Sequence, residues 1–99
     1  MAEIVLKKTE EYKSLSVIKK AIDTEIARLD HAREVVLNNL TFFEKQYQIS
    51  SKQFMEELTV EKSEGKYAEE VEWAGQYQAF LEIDDDLDIL KNIQYVIYE

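Results

Sequence analysis

The segment LSVIKKAIDTEIARLDHAREVVLNNLTFFEKQY, residues 15–47, decides the fold. Leu15, Ile18, Ile22, Ile26, Leu29, Ala32, Val36, Leu40, Phe43 and Tyr47 recur along it at spacings of three and four. That period places them on one stripe of a helix, facing a core or a second helix. At about 1.5 Å per residue the segment makes a rod of roughly 50 Å. Upstream, Thr9 followed by Glu10 and Glu11 offers an N-cap with an acidic first turn. Ile4-Val5-Leu6 is too short an apolar run to assign. Thr41 and Glu44, just after Asn38-Asn39, have capping-box spacing and could restart a helix there. The apolar stripe continues through them, so an unbroken helix is the expectation.

The next boundary is sharper. Ser50 and Gln53 have capping-box spacing, and Ile49 and Phe54 flank them as a hydrophobic staple. The long helix should therefore end near Gln48. A short helix should follow from Ser51 to about Val60, with Phe54, Met55 and Leu58 on its apolar side. Glu61 to Lys66, with Gly65, reads as a polar turn. A third helix is expected from about Ala68 to Ile97, because Trp73, Tyr77, Phe80, Ile83, Leu87, Leu90, Ile93 and Ile97 are spaced by three and four. Gly75 lies inside it, either as a tolerated glycine or as a point of close helix approach beside Trp73.

These elements predict a single all-α domain. Two long helices joined by a short one should fold back as an antiparallel helical hairpin. A hairpin buries only one stripe per helix, so a chain of 99 residues gains from pairing. A homodimer in a four-helix arrangement, or a hairpin seated on a different protein, is expected. Tyr95 and Tyr98 suit either a core or an interface.

Composition narrows the function. The chain has no cysteine, which removes disulfide frameworks, cysteine-ligated zinc and thiol catalysis. No apolar run is long enough to span a membrane. The first residues lack the charge order and apolar length of a secretory signal, so a cytoplasmic location is expected. Charge is divided unevenly. Residues 1–52 hold nine Lys/Arg and eight Asp/Glu, whereas residues 53–99 hold three and 13. The acidic half disfavours direct binding to nucleic acid or to anionic membranes. It is either a solvated face or a surface that steers a basic partner.

Catalytic and metal chemistry find little to work with. There is no glycine-rich phosphate loop and no Ser-His-Asp constellation. His31, the single histidine, shares a helix face with Glu34, but a carboxylate-bridged metal site needs more ligands than these. In Asp84-Asp85-Asp86-Leu87-Asp88 adjacent carboxylates fan about 100° apart, and only Asp84 and Asp88 share a face. No enzyme, cofactor or metal site is expected. Four like charges in five residues repel one another, and a basic partner would relieve that repulsion.

Tyr47-Gln48-Ile49-Ser50-Ser51-Lys52-Gln53-Phe54, then Gly65, then Glu72-Trp73 at the start of a long amphipathic helix, resembles a group of small helical prokaryotic proteins. These are antitoxin-like proteins encoded beside toxins of the TumE type. The resemblance covers residues from about 20 to 90. It implies binding and neutralisation of a toxin, with no catalytic residues. On that basis the expected partner is a basic, toxin-like protein. Glu69, Glu70, Glu72, Glu82, Asp84, Asp85, Asp86 and Asp88 would supply charge, and Trp73 and Tyr77 would supply anchors if their face is not already core. The rival expectation is a self-associating structural or scaffolding coiled-coil module with no toxin partner. A transcriptional regulator is disfavoured, because no helix-turn-helix with a basic second helix is present.

Overall fold

The structure is a computed structural model that describes residues 2–7, 11–57 and 67–98. It is mostly helical. Strand β1 (Glu3–Lys7) is followed by helices α1 (Glu11–Tyr47), α2 (Ser51–Glu57) and α3 (Tyr67–Lys91), then by strand β2 (Gln94–Tyr98). The expected N-cap at Thr9, the end of the short helix from Leu58 to Val60 and the Gly65 turn lie outside the described residues. The chain divides into two compact units, Met1–Ala32 with Ile83–Glu99, and Arg33–Glu82.

Helix α1 runs unbroken through Asn38-Asn39. Thr41 spends its hydroxyl on the Leu37 carbonyl at 2.9 Å, back along the helix, and does not restart one. Each of the ten apolar residues on the stripe is buried or half-buried, with Leu29, Leu40 and Phe43 the most enclosed. Val17, Val35, Leu37 and Phe42, which lie off it, are exposed. Burial of this stripe, rather than intrinsic propensity, holds so long a helix.

The helix ends where a residue adopts the left-handed conformation. Gln48 has φ 57°, and the Ile49 N–H donates to the Glu44 carbonyl at 3.3 Å. This is the six-to-one bond of a Schellman cap, with glutamine where glycine is usual. The Gln48 side chain donates to the Lys45 carbonyl at 2.7 Å and satisfies a second terminal acceptor. Ser50 then caps α2, its Oγ accepting from the Gln53 N–H at 3.1 Å and its carbonyl from the Phe54 N–H at 2.9 Å. The reciprocal half of the expected box is absent. The Gln53 amide turns forward to Glu57 at 3.2 Å.

In the unit 33–82 the core is Leu40, Phe43 and Trp73, with Val36, Tyr47, Ile49, Phe54, Tyr77 and Phe80 packed against it. Asn39 bonds to Gln76 at 3.1 Å and Tyr47 to Glu69, so partner number falls as α1 rises. Within this unit the two helical segments therefore run in opposite directions. Arg33 lies over the Phe80 ring, 4.8 Å from its centroid.

In the other unit the buried residues among those described are Leu6, Leu29 and Leu87. β1 and β2 form a two-stranded parallel sheet, with Glu3 opposite Gln94 and Lys7 opposite Tyr98. This corrects the helix expected to reach Ile97. α3 stops at Lys91, where the Asn92 side chain takes the Asp88 carbonyl at 2.7 Å and its carboxylate at 3.1 Å. A side chain that bonds the last turn this way competes with helix continuation. The residues beyond it, Tyr95, Val96, Ile97 and Tyr98, are aromatic or β-branched and favour a pleated strand once a partner strand is present. The Lys19 ammonium sits 5.0 Å from the Tyr95 ring centroid. Lys91 and Asp30 approach to 3.4 Å, but both side chains are half exposed, so the pair adds little.

Gly75 is exposed, and a Cβ there would meet nothing within 4 Å among the described residues. It marks no close approach beside Trp73. Gly75→Ala should therefore stabilise the protein by about 0.5–1 kcal/mol, since alanine removes backbone freedom from the unfolded chain at no steric cost. Urea denaturation followed by circular dichroism checks this. A loss of stability would mean that the position is packed after all.

Candidate protein-interaction surface

The acidic residues of α3 are divided between the two units. In the unit 33–82, Glu69, Glu72 and Glu82 are exposed and Glu70 is half-buried. Tyr47 donates its phenolic hydrogen to the Glu69 carboxylate. That bond, with some desolvation and the negative charges of Glu69 and Glu70, holds the Tyr47 hydroxyl above its usual pKa of 10.0. One carboxylate oxygen of Glu70 is enclosed with no hydrogen-bond partner among the described residues. In the other unit, Asp85, Asp86 and Asp88 are exposed and Asp84 is half-buried. Asp88 is engaged in the cap of α3 through Asn92.

This arrangement sorts the candidate charges. Glu69 and Asp88 already serve the chain's own structure. Among the described residues, Glu72, Glu82, Asp85 and Asp86 have exposed side chains without an intramolecular ion pair. They are the carboxylates a partner could reach at no cost in internal bonds. Val71, Leu81 and Ile89 are exposed on the same helix and add apolar surface beside them.

Trp73 is not available as an anchor. It is 2% exposed and lies in the core of its unit. Phe54 stacks on it with ring centroids 3.9 Å apart and planes 3° from parallel. Phe43 and Tyr47 stack at 5.4 and 5.5 Å. The indole N–H donates to the Ser51 hydroxyl at 2.8 Å. Ser51 is itself buried, and its own N–H donates to the Glu44 carboxylate at 2.7 Å. The sequence motif from Tyr47 to Phe54 is thus an indole-binding turn, with Tyr47, Ile49, Ser51 and Phe54 all directed at Trp73 or its cluster. Sequence alone does not single out Ser51. Its place one residue after a cap marks it as a helix start and gives no sign of a buried bond. Tyr77 is half-buried against the same cluster.

His31 and Glu34 are exposed on α1. Among the described residues, no group of three or more histidines and carboxylates converges in a way that could hold an ion. No helix among them is long and apolar enough to cross a membrane.

Ser51→Ala should destabilise the protein by about 1–3 kcal/mol, because the buried indole N–H then has no acceptor. Trp73→Ala should cost about 3–5 kcal/mol through the cavity it leaves. Urea midpoints give both values, and a neutral Ser51→Ala would show that the indole bond is dispensable.

Comparison of the chain with models of known protein families, with curated proteins and with solved structures gives no match in any of the three.

Proposed function

We propose that this protein is a non-catalytic, cytoplasmic interaction protein that binds and neutralises a basic, toxin-like protein through its acidic third helix. The observation that carries this reading is the set Glu72, Glu82, Asp85 and Asp86, exposed and without an ion pair among the described residues. They belong to a half of the chain in which acids far outnumber bases. Exposed like charges raise the on-rate for an oppositely charged protein and set which partner is accepted. Residence time would come from apolar contact, for which Val71, Leu81 and Ile89 are placed and Trp73 is not. The helices would act as an antiparallel hairpin, a rigid support for this face. The resemblance of the Tyr47–Phe54, Gly65 and Glu72-Trp73 pattern to antitoxin-like proteins agrees with neutralisation as the role.

A second reading is a self-associating helical module without a toxin partner. It is favoured by Val35 and Phe42, both exposed on α1 and seven residues apart, as on a helix seam. Such a seam would produce the dimeric four-helix arrangement.

The two separate by experiment. Tagged protein is recovered from its native host and its partners are identified by mass spectrometry. The complex is then titrated calorimetrically at low and at high salt. A single small basic partner is expected. The variant Glu82→Gln/Asp85→Asn/Asp86→Asn should bind it about tenfold more weakly at low salt, with the difference shrinking as salt screens the charges. Co-expression should rescue growth arrested by that partner. Affinity indifferent to these substitutions at low salt would sink the electrostatic mechanism. Recovery of the bait alone, with a dimer broken by Phe42→Ser, would establish the helical module instead.

A further inference from the structure

The backbone of β1 carries information that the acidic helix does not use. The Gln94 N–H donates to the Ala2 carbonyl at 3.0 Å, with Glu3 in register opposite Gln94. In a parallel ladder, residues on one strand alternate between facing the partner strand and facing away. Ala2, Ile4 and Leu6 therefore turn their N–H and C=O groups to β2. Glu3, Val5 and Lys7 turn theirs to the opposite edge, which no strand occupies among the described residues. All three side chains are exposed, Val5 by 55%.

We infer that this edge joins two copies of the chain, strand to strand and antiparallel, about a two-fold axis at Val5. The segment Glu3-Ile4-Val5-Leu6-Lys7 is complementary to itself in that one register. Val5 meets the partner's Val5. Glu3 meets the partner's Lys7, and Lys7 meets the partner's Glu3. These are the residues whose backbone groups face outward, so each pair exchanges two hydrogen bonds, about six in all. Sliding the register by two residues in either direction loses hydrogen bonds and both charge pairs. Opposite charges across antiparallel strands stabilise the pairing, and the interface is isologous as a two-fold dimer requires.

The joined sheet also adds to what supports the strands. A two-stranded sheet needs further strands or packing on a helix; here Leu6 is buried and Lys19 of α1 lies over Tyr95, and edge pairing would supply two more strands. Edge-to-edge pairing makes four strands, with Val96, Val5 and their symmetry mates in one apolar band. The outer edge of β2 suits the role less well. By the same alternation only Tyr95 and Ile97 present their backbone there, and QYVIY has no charge to set a register.

The test is sedimentation equilibrium of the full chain at low salt, over micromolar to millimolar concentrations. Wild type should dimerise. Val5→Pro should raise the dimer Kd at least tenfold. Its missing N–H is on the open edge, where proline is tolerated and the β1–β2 ladder keeps its bonds, so helical circular dichroism should be unchanged. Glu3→Lys alone and Lys7→Glu alone each place like charges opposite one another and should each weaken the dimer about tenfold. A mixture of these two variants should form a heterodimer as tight as wild type, and the double exchange Glu3→Lys/Lys7→Glu should restore self-pairing. The mixture decides the matter if Val5→Pro fails to fold. A wild type that stays monomeric throughout overturns the inference. So does a dimer indifferent to the charge exchanges, which would place pairing on the helices. Neither result depends on whether a basic partner exists, so the inference stands apart from the proposed function.

Discussion

The buried indole of Trp73 is the constraint around which its half of the molecule is arranged. An indole brings a large apolar area and one N–H that must find an acceptor when water is excluded. Ser51 supplies that acceptor from the first turn of α2, and its backbone is tied to α1 through Glu44. One side chain of α3 is therefore linked to the end of α1 and the start of α2 by two consecutive hydrogen bonds. The three aromatic rings stacked on it come from the same two helices. The left-handed Gln48 and the Ser50 cap follow from this demand. The chain must turn within three residues after Tyr47 to bring Ser51 under the indole and Phe54 against its face.

A core built in this way changes what the surface can do. Because Trp73, Phe43 and Phe54 are committed inward, α3 presents mainly aliphatic side chains and charge to solvent among the described residues. Carboxylates strung along α3 extend a field beyond the protein with little rearrangement of its interior. If α3 is the contact face proposed above, binding would show rapid encounter and sensitivity to ionic strength rather than very slow dissociation.

The helical part of the fold was legible because its signal is local. The stripe from Leu15 to Tyr47 repeats often enough that chance spacing cannot imitate it, and every member is buried or half-buried. The boundary at Gln48–Ser51 was legible for a different reason, since capping chemistry is written in neighbouring residues. The strands were not. Val5 and Val96 are far apart in sequence, and each strand is five residues long. Leu90, Ile93 and Ile97 fall at spacings of three and four and so continue the helical pattern past its end. Only Asn92, with Asp88 four residues before it, marked the stop. Of the candidate contact residues, sequence could name the carboxylates but could not separate Glu69 and Asp88, which serve the fold, from Glu82, Asp85 and Asp86. That distinction depends on Tyr47 and Asn92, whose side-chain directions no periodicity reports. Trp73 is ambiguous in sequence, because an aromatic residue on an apolar stripe fits a core and an anchor equally well.

The placement of the tryptophan has a spectroscopic consequence. Trp73 is the chain's single indole and belongs wholly to the unit of residues 33–82. Its emission is quenched or shifted by what happens to Ser51, Phe43, Tyr47 and Phe54, all within that unit. Fluorescence would thus follow the melting of one half of the molecule and miss fraying of β1 and β2 in the other. Far-ultraviolet dichroism counts peptide bonds in both. Denaturation curves from the two probes would coincide only if the units unfold together, so the sequence carries a built-in reporter of how far its two halves act as one.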